Sequence, residues 1–277
     1  MIRHKSKLWK KAIFISIMAI FLVWTLLPIF IIVTNSFKMP LDISRNPPVF
    51  IFTPTLRHYM EALDVGNFGR YFINSVIISV STTLISVICG SMAAYGLLIM
   101  KSKIGQTLSN FLLIGRMVPA ITILIPFFSI LFAMGLHMSH VGPIMAHSSV
   151  NLPFVTWLIL GFMKGTPQEV LESSAIDGAT RMQTFRVILI PMLTPAIASA
   201  FILSMQFSWN ELLFSLQLTT MNFYTLPVGI ARFVGALTVN WGRSSAAATI
   251  TMVPIILVGF LMQKHLVSGL TAGAVKS

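Results

Sequence analysis

The feature that most constrains this chain is a series of long apolar segments. Each is close to the length at which a helix crosses the hydrocarbon core of a bilayer, about 20 residues. The segments are apolar on all sides and lack the period-two alternation of membrane β-strands, so they favour helices. The sequence therefore predicts an all-α, polytopic membrane protein with six transmembrane helices, at residues 12–33, 72–100, 107–134, 142–163, 191–216 and 246–262.

The composition argues against a soluble protein. The chain is 56% hydrophobic and only 9% charged, whereas soluble domains carry about 25% charged residues. The first apolar segment follows the basic stretch MIRHKSKLWKK, but it is too long for a signal-peptide core and no small-residue cleavage site follows it. We therefore expect a retained span. The net charge of +12 does not indicate nucleic-acid binding, because the basic residues lie in short tracts beside apolar segments.

The positions of lysine and arginine predict the orientation. With the N-terminus inside, they favour the cytoplasmic segments by roughly two to one. This predicts a multi-pass membrane protein with both termini in the cytoplasm. The predicted parts are a cytoplasmic N-terminus at 1–11, a first span at 12–33, an extracytoplasmic loop at 34–71, a five-span core at 72–263 and a cytoplasmic tail at 264–277.

The core contains a polar cytoplasmic segment, residues 164–190, between the fourth and fifth spans. Thr166, Pro167 and Glu169 have the form of a capping box with proline at the first helical position, so a helix is predicted to begin there. Asp177 and Arg181 are four residues apart and are predicted to pair on that helix.

The opposite side of this predicted helix is small and rich in alanine. It consists of Leu171, Ala175, Ala179 and Met182. Gly178 permits either the close approach of another surface or a bend. Such a side with no strong basic face is a poor surface for lipid headgroups. It favours docking on another protein, and the lipid alternative stays open.

The same segment, ESSAIDGATRM followed by ILIP, resembles the EAA loop of ABC-importer permeases. The resemblance extends along nearly the whole chain and includes FINSVIIS, RMVPAITILIPFF, FSWNELLFSL and TLPVGIARF. Together these motifs are similar to the second permease subunit of maltose-type importers, in the carbohydrate-uptake branch. The resemblance implies that contact with an ATPase is made by Glu172, Ser173, Ser174, Asp177, Gly178, Ala179, Arg181 and Pro191.

The resemblance also implies a bacterial-type inner (cytoplasmic) membrane, partners and a mechanism. Such a permease forms a heterodimer with a second related permease, binds two ATPase subunits and receives its solute from a solute-binding protein. ATP and Mg²⁺ would bind the partner ATPase, and no cofactor is expected on this chain, which has no GxxxxGK[ST] phosphate loop. The expected function is import of a sugar or sugar-like solute by alternating access, without catalysis by this chain. A polyol or glycerol phosphate stays open as cargo.

Polar residues within the apolar segments are candidates for the solute pathway. Arg116 would be costly at membrane depth, so it is expected to contact solute or to pair with a carbonyl or a partner subunit. A tryptophan beside amides and a carboxylate suits a sugar, and the alternative is an interfacial aromatic anchor at a polar helix end. The candidates are Arg116, Gln206, Trp209, Asn210 and Glu211.

No metal centre is predicted. His137, His140 and His147 lie in a predicted loop without a nearby Asp, Glu or Cys to complete a site. The single cysteine, Cys89, lies within an apolar segment and is predicted to be a buried thiol.

Two other classes of function stay open. An intramembrane enzyme would need converging acid, base or nucleophile groups. A channel or secondary transporter would show flux without ATP.

Overall fold

The computed structural model describes residues 2–64, 67–100, 103–233 and 239–272. Most of these residues are helical, in agreement with the predicted all-α class. The chain divides into two compact units. The first consists of Met1–Phe68 and Ile230–Met252, and the second of Gly69–Gly229 and Val253–Ser277.

The first unit contains helices α1 (Ile2–Phe37), α2 (Pro40–Ile43) and α3 (Arg57–Asp64), and the start of a long last helix. The apolar stretch Trp9–Phe37 of α1 has a fully exposed hydrophobic surface over most of its length, as expected of a helix in lipid. Its end is tied to α3, where Ser36 Oγ lies 2.7 Å from Tyr59 Oη. Nε2 of the buried His58 donates to the Lys38 carbonyl at 3.0 Å.

The remaining helices begin in the second unit or lead into it. They are α4 (Phe68–Ile99), α5 (Lys103–Arg116), α6 (Ala120–Ala133), α7 (Val141–Met163), α8 (Gln168–Ile176), α9 (Arg181–Gln183), α10 (Ile190–Met192), α11 (Thr194–Asn210), α12 (Leu213–Leu218), α13 (Leu226–Arg232) and α14 (Trp241–Ala272). A π-helix, Thr184–Leu189, joins α9 to α10. Residues of α4, α7, the π-helix and α11 form one buried apolar cluster that includes Ala94, Ile159, Leu189 and Ala200.

Four helices in the described part of the chain are long and apolar enough to cross a membrane: Trp9–Phe37, Phe68–Ile99, Val141–Met163 and Trp241–Leu261. The third and fifth predicted spans, 107–134 and 191–216, each fall in a bent pair of helices, and the second pair also contains residues 181–190 of the predicted cytoplasmic segment. Ile104–Arg116 and Ala120–Ala133 meet at 93°, and Arg181–Met192 and Thr194–Asn210 meet at 79°. Prolines explain both breaks, because Pro119 precedes α6 and Pro195 lies in the first turn of α11. Counting each bent pair as one span gives up to six.

Two further expectations need correction or restriction. Cys89 is exposed on α4 and is not the predicted buried thiol. The predicted C-terminal tail at 264–277 continues α14 as helix as far as Ala272. Its last residues, 273–277, lie outside the described part of the chain, as does Lys101 of the basic tract that supports the predicted orientation.

Gly242 lies in the first turn of α14, where the ring of His58 leaves no space for a side chain. A Cβ at this position would overlap the buried ring of His58. We expect Gly242→Ala to lower the stability of the protein by about 1–3 kcal/mol, the usual cost of overpacking. Thermal unfolding of the purified chain in detergent measures the effect. Gly259→Ala on the same helix is the control, because nothing lies within 4 Å of its Cβ position. An equal loss in both variants would contradict this reason.

Candidate functional site

The polar segment between α7 and α11 forms two helices joined by a tight turn. The predicted capping box at its start is wrong. Helix α8 begins at Gln168, its N-cap is Pro167, and no side chain caps it. The reason lies in the preceding turn, because Thr166 N–H donates to the Met163 carbonyl at 3.1 Å and so still belongs to the end of α7.

Helix α8 ends at Ile176, earlier than predicted, and Gly178 explains where it stops. Gly178 has a φ of +76°, the left-handed region that favours glycine. Ala179 N–H donates to the Ser174 carbonyl at 3.0 Å, and Gly178 N–H donates to the Ala175 carbonyl at 3.2 Å. This pair of hydrogen bonds is the Schellman motif, which satisfies carbonyls at a helix end. Gly178 therefore acts through its backbone conformation, and no atom lies within 4 Å of its Cβ position.

A second helix, α9, begins at Arg181, so the polar segment is not the single continuous helix that the sequence predicts. Thr180 is its N-cap and forms a capping box with Gln183. Asp177 and Arg181 consequently lie on opposite sides of the turn, and the described part of the chain shows no ion pair between them. The predicted continuous helical side through Met182 is likewise divided. Pro191 lies in α10, directly after the π-helix.

One face of α8 is fixed to the rest of the second unit. Ser174 is 3% exposed, and its Oγ lies 3.1 Å from Thr184 Oγ1 at the start of the π-helix. Leu171 packs against the buried cluster of α4, α7 and α11. Two contacts on neighbouring turns thus hold α8 in one orientation on the bundle.

The other face of α8 is open. Glu172, Ser173 and Asp177 are exposed, and Gln168 Nε2 donates to Glu172 Oε1 at 2.6 Å. Ile176 stands at the end of this face with 86% of its surface exposed. This large apolar side chain at the end of a fixed helix is accessible to another surface. We call Glu172, Ser173, Ile176 and Asp177 the α8 tip.

The two adjacent serines of α8 provide a test of this assignment of faces. We expect Ser174→Leu to destabilise the protein by about 1–3 kcal/mol, because the added carbons have no space between α8 and the π-helix. Ser174→Ala should cost less, about 1–2 kcal/mol, because it removes the hydrogen bonds of this hydroxyl to the Leu171 carbonyl and to Thr184. Ser173→Leu is the matched control and should leave the thermal unfolding temperature nearly unchanged. A larger loss for Ser173→Leu would mean that the faces are reversed.

The polar residues of α11 line an open groove of about 400 Å³. Gln206, Asn210 and Glu211 share this wall with Leu203 and Phe207. Three of the candidate pathway residues are therefore adjacent.

Trp209 does not join them. It is 1% exposed and its ring meets Phe72 edge to face, with centroids 5.9 Å apart. In this conformation the indole cannot stack on a sugar or act as an exposed aromatic anchor. Consecutive residues of a helix point about 100° apart, so Trp209 faces the bundle where Gln206 and Asn210 face the groove.

Glu211 is held by a network that the sequence analysis missed. Nε2 of His147 donates to Glu211 Oε2 at 2.9 Å, and Ser208 Oγ lies 2.7 Å from His147 Nδ1. Glu211 also accepts the N–H groups of Phe214 and Ser215, at 2.9 and 3.1 Å, and so caps α12. Its side chain is 9% exposed and that of His147 is fully buried. One carboxylate thus joins α7, α11 and α12 beside the groove.

The prediction that His147 is a loop residue without an acidic neighbour is wrong. It lies within α7 and pairs with a glutamate 64 residues away in sequence. His140 is the residue before α7, and its Nε2 lies 2.8 Å from Asn74 Oδ1. Among the described residues, no group of three or more His, Cys, Asp or Glu side chains could hold a metal ion.

Arg116 lies apart from the groove lining, at the end of α5. Its guanidinium carbon is 4.0 Å from the centroid of the Phe154 ring, a cation–π contact. This aromatic partner differs from the carbonyl or partner subunit that the sequence suggested. The contact holds Arg116 against α7 at the bend between α5 and α6.

Comparison with known proteins decides the family. Residues 86–272, which contain α8, the groove and the Glu211 network, match the model of the binding-protein-dependent transport system inner membrane component. The chain belongs to this family. The prediction of an ABC-importer permease of the carbohydrate-uptake branch is confirmed.

Individual relatives of this permease cover nearly its whole length. It is 30% identical over 263 residues to the inner membrane ABC transporter permease protein YcjP of Escherichia coli (strain K12), covering 94% of each chain. It is 33% identical over 256 residues to the trehalose transport system permease protein SugB of Mycobacterium tuberculosis (strain CDC 1551 / Oshkosh), covering 91% of this chain and 93% of the relative.

A solved structure supports the fold of the permease. A chain of a bacterial ABC transporter involved in the import of the acidic polysaccharide alginate superposes with a TM-score of 0.75. The match covers 91% of this chain and 94% of the other, at 19% sequence identity. The arrangement of helices is therefore shared although most side chains differ.

Proposed function

We propose that this permease moves a sugar or sugar-like solute into the cytoplasm by alternating access, and that a separate ATPase drives it through the α8 tip. Relatives named for trehalose and for melibiose, raffinose and stachyose support a carbohydrate solute. The proposal places ATP and Mg²⁺ on the ATPase. It adds a second permease subunit, two ATPase subunits and a solute-binding protein as partners.

The observation that carries this proposal is the contrast between the two faces of α8. Its inner face is fixed by Ser174 and Leu171, while Ile176 is 86% exposed at the tip. A force on the tip therefore moves the whole helical hairpin and does not merely deform α8. Phe185 and Leu189 of the π-helix belong to the buried cluster, so the movement reaches α4, α7 and α11.

The topology belongs to the same proposal. Six spans result when both bent pairs cross the membrane once. The α8 tip then lies in the cytoplasm, as do both termini, and the groove beside Glu211 lies towards the outer side. This arrangement separates the ATPase contact from the solute contact, which alternating access requires.

The groove favours an uncharged, hydroxyl-bearing solute. Gln206 and Asn210 offer amide donors and acceptors to hydroxyl groups, while the Glu211 carboxylate beside them already accepts from His147, Phe214 and Ser215. No lysine or arginine lies among the residues that line this groove. A phosphorylated solute such as glycerol phosphate would meet a carboxylate without a compensating cation, so a neutral sugar or polyol fits better.

Reconstitution tests the proposal directly. Proteoliposomes holding this chain, its second permease and its ATPase should take up radiolabelled trehalose or melibiose only with ATP and the solute-binding protein. Each component omitted in turn should abolish uptake. Solute flux through the purified chain alone, without ATP, would overturn the proposal and indicate a channel or secondary transporter.

A further inference from the structure

The first unit contains a second pocket, of about 390 Å³, far from α8 in sequence. It lies between the segment that follows α1, helix α3 and the start of α14. Its volume is at the lower end of the range for small-molecule sites, about 300–1,000 Å³. Unlike the groove, its wall carries several charged side chains.

The charges in this wall do not balance. Arg57 and Arg243 contribute two positive charges, and Glu61 contributes the one negative charge among the lining residues. Arg57 Nε donates to Glu61 Oε1 at 2.7 Å, and Arg243 Nη2 donates to Glu61 Oε2 at 3.2 Å. These arginines, Arg57 foremost, hold the pKa of Glu61 below its usual range. Glu61 thus stays ionised and neutralises only one of the two guanidinium groups.

The arginines also retain unused donors. Each guanidinium has five N–H groups in a fork that suits a carboxylate. Arg243 Nε is buried without a hydrogen-bond partner, and Arg57 is 61% exposed. Nδ1 of His58, which is 2% exposed and also lines the pocket, has no hydrogen-bond partner, and Glu61 Oε2 lies 3.9 Å from it. Unsatisfied buried polar atoms beside a cavity indicate a ligand or ordered water.

The rest of the wall suits an organic molecule rather than a simple ion. Trp241 lines the pocket and is 62% exposed, although it is large and apolar. Its ring can cover the carbon skeleton of a small ligand. Asn240 also lines the pocket, and its Oδ1 accepts the backbone N–H of Arg243 at 3.0 Å. We propose that this pocket binds a small hydroxylated carboxylate of the sugar-acid class, with its carboxylate on Arg57 and Arg243 and its ring on Trp241.

Equilibrium dialysis of the full chain in lipid nanodiscs tests this site without ATP or transport, so its result is independent of the proposed import. Radiolabelled glucuronate should bind saturably, and its neutral counterparts glucuronamide and glucose should bind at least about tenfold more weakly. Arg243→Gln should weaken glucuronate binding about 10- to 100-fold, the loss of a charged hydrogen-bonding partner. Trp241→Leu should weaken the binding of glucuronate as well.

Two further variants control for damage to the fold. Arg57→Gln changes an exposed side chain and should also weaken binding, whereas Arg45→Gln should not, because Arg45 is 71% exposed and does not line the pocket. Equal binding of glucuronate and glucose would overturn the proposed class of ligand, and so would the absence of saturable glucuronate binding. If Arg243→Gln weakened only the binding of an acidic solute-binding protein, the pocket would be a protein contact and the proposal would be wrong.

Discussion

Replacing Gly178 with valine is expected to abolish ATP-driven uptake while the protein still inserts in the membrane. Gly178 has a φ of +76° at the turn between α8 and α9. A β-branched residue in that conformation costs about 1–3 kcal/mol, and the turn can relieve this strain only by changing shape. Because Gly178 and Ala179 donate the hydrogen bonds that end α8, such a change reorients the α8 tip. Uptake in proteoliposomes and co-purification with the ATPase measure the result.

A second substitution at the same position distinguishes the effect of backbone strain from the effect of side-chain volume. Asparagine tolerates the left-handed region far better than valine does, so Gly178→Asn should retain most of the uptake. The two side chains have similar bulk. If both variants were inactive at normal membrane levels, then the space beside Gly178, filled by a partner in the assembled complex, would be what matters. If both transported normally, the turn would have no part in coupling.

The largest loss of stability is expected for His147→Ala. The substitution removes the charge-assisted partner of Glu211, whose side chain is only 9% exposed. Removing one donor from a buried carboxylate costs about 3 kcal/mol, and the loss of the buried imidazole ring adds the cost of a cavity. We expect a lower unfolding temperature in detergent and a smaller folded yield. The loosened end of α12 should also disturb the groove.

Two further variants test whether the loss of stability comes from breaking the contact between His147 and Glu211. His137→Ala should have a small effect, because the described contacts of His137 include no acidic partner. Adding Glu211→Gln to His147→Ala should restore part of the stability, because the amide carries no charge to leave unpaired. A double variant less stable than His147→Ala would show that Glu211 does not depend on His147.

The features that the sequence predicts well are those set by composition and local pattern. Long apolar segments identify the membrane helices, and the polar segment at 164–190 identifies the interruption between α7 and α11. The extent of α8 was missed because the left-handed turn at Gly178 and the capping box of Thr180 outweigh a continuous apolar spacing. The sequence contains both the apolar spacing that favours a longer helix and the turn residues that end it. Which of the two has the larger effect cannot be read from the sequence alone.

Features that depend on contacts distant in sequence could not be predicted. The pair formed by His147 and Glu211 spans 64 residues, and no local pattern connects the two. The burial of Trp209 depends on Phe72 of another helix. The exposure of Cys89 depends on which face of α4 is covered. A long apolar helix gives little indication of that face, because a membrane allows apolar residues on every side.

The most direct test of the account is a cross-link from the α8 tip to the ATPase. Cys89, the only cysteine, is first replaced by serine, and Ile176→Cys then places a single thiol at the tip. With the assembled transporter and ATPase variants that carry single surface cysteines, we expect an oxidant to produce a disulfide between the two subunits, and ATP to change its yield. Reaction of this thiol only with reagents added from outside the cell, or no cross-link to any ATPase position, would contradict the account.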